Sequence, residues 1–143
     1  MPQSLKQSVE EALQAYSPLR TSRAEITISV DGGQVTLSGY APSGSIKRMA
    51  GILAGSVDGV NGIVNDILAD PDLERAVAMA LAADSRTRLW PIRVRAELGH
   101  VQLQGQVPDQ DAAQVAMEVA RKVQGPRQIF SALEVSKSLE LAA

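Results

Sequence analysis

The chain contains no cysteine, which excludes disulfide staples and thiolate metal sites without identifying a compartment. Histidine occurs once, at His100, so an imidazole-based zinc site has no material to form from. Aromatic residues make up only 3% of the chain, which leaves Val, Ile, Leu and Ala to build the core. No apolar run is long enough to span a membrane, and Met1-Pro2-Gln3 does not open a signal peptide. Read literally, that start corresponds to a cytoplasmic protein, while a chain with its leader removed would read the same way. The net charge of −2 supplies no global attraction to nucleic acid or to an anionic surface. Gly-x-Ser-x-Gly, phosphate-loop and dinucleotide patterns do not occur. The acids Glu10-Glu11 and Asp109/Asp111 read as caps and solvated charge. No catalytic residue, cofactor or metal ligand is expected, and the chain is not expected to be an enzyme.

What the sequence does contain is a repeat. Val35-Thr36-Leu37-Ser38-Gly39 returns as Val101-Gln102-Leu103-Gln104-Gly105. Ile26, Ile28 and Val30 precede the first copy as Ile92, Val94 and Ala96 precede the second. Ile63, Val64 and Ile67 follow the first as Ile129, Phe130 and Leu133 follow the second. The chain therefore reads as two units of about 65–70 residues, at 1–69 and 70–143, rather than one larger domain. Units of that size bury a limited core.

Each unit has the order α-β-β-α-β. Ser4-Leu5-Lys6-Gln7 has the form of a capping box, and Leu5, Val9, Leu13 and Tyr16 follow at helical spacing. Proline in Ser17-Pro18 ends that helix, and a loop carrying Arg20 and Arg23 leads to the strand at 25–30. Asp31-Gly32-Gly33 turns the chain into a second strand, giving an antiparallel hairpin. A second helix carries Ile46, Met49, Ala50 and Leu53 and stops at Asp58-Gly59. The third strand covers 63–68. In the second unit Asp70-Pro71 starts a helix, 92–97 and 101–105 form the hairpin, and Asp109 caps a helix from about Asp111 to Val123. The last strand covers 129–135, and the tail from 136 to 143 lacks a partner element. The expected fold is α+β: in each unit two helices bury one apolar stripe against one face of a three-stranded sheet. Val64 and Phe130 fall out of phase with that core pattern. They are expected to meet the opposite face, either packing locally at a strand end or forming an interface between copies or chains.

These motifs resemble the BON domain, used twice in tandem. The resemblance rests on a leading helix, Ile-x-Ile-x-Val, Val-x-Leu-x-Gly at 35–39 and 101–105, and an alanine-bearing helix. It closes with Val57-Asp58-Gly59-Val60 and Asn65 in the first copy. The second copy departs there, with Val123-Gln124-Gly125-Pro126 and Ser131. The resemblance implies a non-enzymatic envelope or osmotic-stress module attached to phospholipid, with a periplasmic or envelope location. Some relatives bind potassium, but no ion-sensing marker is readable here.

The copies differ most between Arg86 and Arg95. Arg86-Thr87-Arg88-Leu89-Trp90-Pro91-Ile92-Arg93-Val94-Arg95 holds four arginines, the sole tryptophan and no acid. Alternation puts Arg93 and Arg95 opposite Ile92 and Val94. Trp90 has the parity of Ile92 and Val94, so it caps the core or joins the basic surface. Arginine pairs with phosphate oxygens and tryptophan favours membrane interfaces. Arg86, Arg88, Trp90, Arg93 and Arg95 are thus the expected contact for anionic phospholipid or an acidic protein partner. The alternative is that the arginines pair with acids, leaving a structural or self-associating module centred on Val64 and Phe130. Neither long helix is basic enough for interfacial insertion, and no extended basic face with interleaved aromatics supports nucleic-acid binding.

Overall fold

A computed structural model describes residues 4–136, which divide into two compact units between Asp70 and Pro71. The first runs α1 (Leu5–Gln14), α2 (Ser17–Thr21), β1 (Glu25–Asp31), β2 (Gln34–Ala41), α3 (Gly44–Gly55) and β3 (Gly62–Ala69). The capping box forms as the sequence predicts: Gln7 N–H donates to Ser4 Oγ and Ser4 N–H to Gln7 Oε1. Pro18 does more than end a helix. It occupies the first turn of α2, where its missing N–H costs nothing, so the expected loop around Arg20 is helical. Leu19 is thereby buried beside Val9 and Leu13.

β1 and β2 pair antiparallel, Val30 facing Val35, and β2 and β3 pair parallel, Val35 facing Ile63. Parallel neighbours need a crossover, which α3 supplies. Ile28, Val35, Leu37 and Ile67 form the sheet side of the core. Ala50 and Ala54 are small enough to bring α3 down onto them.

The second unit comprises α4 (Asp70–Ala83), β4 (Ile92–Glu97), β5 (His100–Val107), α5 (Gln110–Arg121) and β6 (Gln128–Val135). It keeps the strand order and register, Ala96 facing Val101 and Val101 facing Ile129. Asp109 caps α5 by accepting from Ala112 N–H at 2.8 Å. Val77, Leu81, Val101, Leu103, Ala116, Val119 and Ala120 form the core. Between α4 and β4 there is a turn rather than a counterpart of α2. Buried Thr87 holds that turn by donating to Leu81 O at 2.6 Å. Of the expected tail, Ser136 N–H extends the β5–β6 ladder to Val107 O, and 137–143 lie outside the described residues.

In both units the helices pack on one face of the sheet, and the cores are built from that face. The opposite face carries the residues of the other strand parity. It is there that the units diverge.

Candidate functional site

Strand alternation and register together fix the composition of the second unit's open face. Arg95 pairs with Gln102, which pairs with Phe130, making one row across the sheet. Arg93, Gln104 and Ala132 make the next row. Both arginines are exposed, while Ile92 and Val94, which alternate with them, are half-buried against the core. Neither guanidinium has a hydrogen bond or ion pair with a described residue. Gln104 Nε2 donates to Gln102 Oε1 at 2.7 Å. That bond uses the Gln102 carbonyl and leaves its NH2 group as an oriented donor beside Arg95.

Trp90 is half-buried at the end of this face. It lines an open depression of about 720 Å³ with Arg93, Gln104, Gln106 and Glu134. Its ring thus shares walls with open-face side chains, whatever its parity along the chain. A second depression, about 370 Å³, is lined by Arg95, Glu97, His100, Gln102 and Phe130. His100 is the first residue of β5 and half-buried. Its ring lies 6.1 Å from that of Phe130, and its Nδ1 is buried without a hydrogen-bond partner among the described residues.

The corresponding face of the first unit is chemically different. Its rows are Ser29–Thr36–Val64 and Thr27–Ser38–Asp66, with Ala24 at the position of Trp90. Four short hydroxyl side chains in one unit thus stand where two guanidiniums and two amides stand in the other. Phe130 is 44% exposed, whereas Val64 is half-buried. Phe130 also shares its row with Arg95, so the two regions singled out in the sequence belong to one surface. The glutamines were legible by parity, since Gln102, Gln104 and Gln106 alternate with Val101, Leu103 and Val107. Being uncharged, they do not draw attention as arginine does.

The arginine run itself does not stay together. Arg86 grips Asp84, with backbone N–H, Nε and Nη2 contacts of 2.9, 3.1 and 3.0 Å, and approaches Glu118 on α5 at 4.0 Å. This puts Arg86 on the side covered by α5 rather than on the open face. The hydrogen bonds from the Arg86 side chain and backbone hold the Asp84 carboxyl below its ordinary value, and the carboxylate in turn raises the Arg86 pKa. Arg88 is exposed with no side-chain partner among the described residues. Buried Thr87 separates Arg86 from Arg88. No group of three or more His, Asp or Glu among the described residues could hold a metal ion. Among the same residues, no helix is long and apolar enough to cross a membrane.

Comparison with known proteins agrees with this two-unit organisation. The family model for the BON domain matches residues 3–71 and again 69–137. The outer membrane lipoprotein DolP of Haemophilus influenzae is 27% identical over 139 residues, covering 90% of this chain and 71% of that one. The fold is also similar to the C-terminal domain of CdsD, the structural protein of the type III secretion system of Chlamydia trachomatis. The TM-score is 0.71 at 13% identity, covering 99% of this chain and 70% of that one.

Proposed function

The chain belongs to the BON domain family and carries the domain twice; on that premise we propose a non-enzymatic binding module of the bacterial envelope whose second unit contacts an anionic phospholipid surface. The observation that carries this reading is the pair Arg93 and Arg95, exposed and without partners among the described residues, on an open sheet face beside Trp90. The likeness to an outer membrane lipoprotein supports the envelope part. Guanidinium groups match phosphate oxygens in a bidentate fashion, and a tryptophan at the rim suits the headgroup layer. Arg88 is exposed in the turn before β4, while Arg86 serves the fold through Asp84.

Cosedimentation of the full chain with anionic and neutral vesicles tests the reading. Binding to anionic vesicles at low salt is expected, with Arg93→Glu/Arg95→Glu released. Lack of binding at low salt would rule out the lipid surface.

A second reading rests on Phe130, which is exposed on the same face: self-association of the module through the second unit's sheet. Light scattering after size exclusion distinguishes it. The self-associating form loses mass on Phe130→Asp, and an unchanged mass for the folded variant removes Phe130 from that role.

A further inference from the structure

The two units treat the outer edge of their first strand differently. Among the described residues both β1 and β4 are edge strands, each paired on one side only. In the second unit Glu74 of α4 reaches that edge, and its Oε2 accepts from Ala96 N–H at 3.2 Å. Aligning the leading helices by their buried leucines and valines, Leu5/Leu73, Val9/Val77 and Leu13/Leu81, puts Lys6 where Glu74 stands. The hairpins share one register, Val30 facing Val35 as Ala96 faces Val101, so Val30 N–H points to the same free edge. An ammonium has donors and no acceptor, so Lys6 cannot take it.

Next to that edge, α1, α2 and the 24–28 segment line a groove of about 460 Å³ that reaches Lys6, within the range of pockets that hold ligands. Leu13, Leu19, Ile26 and Ile28 supply its apolar lining, with Lys6 and Arg20 basic and Glu10 acidic at the rim. Arg20 is pinned at one end by donating to Gln14 O at 2.8 Å.

We propose that this groove receives an extended, acidic segment of a partner protein, which adds to the free edge of β1 as a further strand. Main-chain pairing along an exposed edge provides affinity, and pockets for alternate side chains provide selectivity. Alternate residues of such a strand would place apolar side chains over Leu13 and Leu19. A carboxylate would meet Lys6 and supply the acceptor that Glu74 supplies in the other unit. The chain itself thus contains the chemical precedent for the occupant: a carboxylate against the edge N–H. The basic excess of Lys6 and Arg20 over Glu10 favours an acidic segment over a basic one.

The probe is an acetylated, amidated octapeptide of alternating Val and Glu, titrated into the isotope-labelled full chain while amide resonances are followed. Shifts are expected at Lys6 and along 26–30. Lys6→Glu should weaken binding roughly tenfold or more, because the new carboxylate can take the Val30 N–H as Glu74 takes that of Ala96 and repels an acidic segment; a tenfold loss corresponds to about 1.4 kcal/mol. Lys6→Ala, which leaves the groove open, should weaken it less, and Glu74→Lys should leave it unchanged at 26–30. A peptide N-methylated at alternate residues should fail to bind. Equal binding by that peptide, or by one with Lys in place of Glu, would overturn the proposal. So would no shift at millimolar peptide, or shifts confined to 92–97. Concentration-dependent shifts of 26–30 without peptide would assign the groove to a second copy and equally overturn it.

Discussion

A methyl group placed on Gly39 would overlap the carbonyl oxygen of Glu25 on the neighbouring strand, and one on Gly105 would overlap that of Pro91. Both glycines hold positive φ, 119° and 131°, so the last position of each Val-x-Leu-x-Gly motif is closed to side chains twice over. Gly39→Ala and Gly105→Ala should each cost more than about 1 kcal/mol, read as a lower denaturant midpoint. Charge at single residues yields a pH effect of definite sign. Asp84 is held below its ordinary value near 3.8 by Arg86. Its contribution is present above the unfolded value and lost as pH falls through the folded one. Arg86, shifted upward, stays charged throughout that window. Wild type should therefore lose more stability than Asp84→Asn between pH 5 and about pH 2, measured by denaturant midpoints across that range.

Helix and strand are joined differently in the two units. Asn65 of β3 donates to Lys47 O at 2.8 Å and accepts from Ile67 N–H at 3.2 Å, bracing α3 against the sheet edge. Gly51 makes room for it, since a Cβ there would lie 2.8 Å from Asn65 Nδ2. In the second unit Ser131 keeps, among the described residues, only the local bond, accepting from Leu133 N–H at 3.3 Å, and Met117 stands in place of Gly51. Asn65→Ala should thus destabilise by about 1–3 kcal/mol, and Ser131→Ala by less, as measured by equilibrium unfolding. At this scale the hairpins, the second helix of each unit and the caps at Ser4 and Asp109 were legible in the sequence, because period and capping chemistry are local. The helical turn at Leu19 was not. Pro18 reads equally as a stop or as a first-turn residue, and burial of Leu19 against Val9 and Leu13 decides between them.

For the whole molecule, a net charge of −2 means that attachment to an anionic surface would depend on local rather than overall field. Basic residues near such a surface contribute on the order of 1 kcal/mol each, and exposed pairs are screened over about 10 Å at 0.1 M salt. Replacing Arg93 and Arg95 with alanine should therefore weaken vesicle binding roughly 30-fold at low salt. The wild type should also lose binding steeply across a salt series in the same cosedimentation assay. The sequence by itself determined the duplication, the α+β order and the parity of every strand, since periodicity and glycine turns are properties of neighbouring residues. It also marked Arg93 and Arg95 as facing away from the core. Only the tertiary structure decided which of the singled-out groups share a surface. It drew Arg86 away to Asp84 and Glu118, set Phe130 in the row of Arg95 and set Lys6 where Glu74 closes the other edge. Those pairings join residues on separate elements, and cross-strand register and helix placement, not spacing along the chain, bring them within reach.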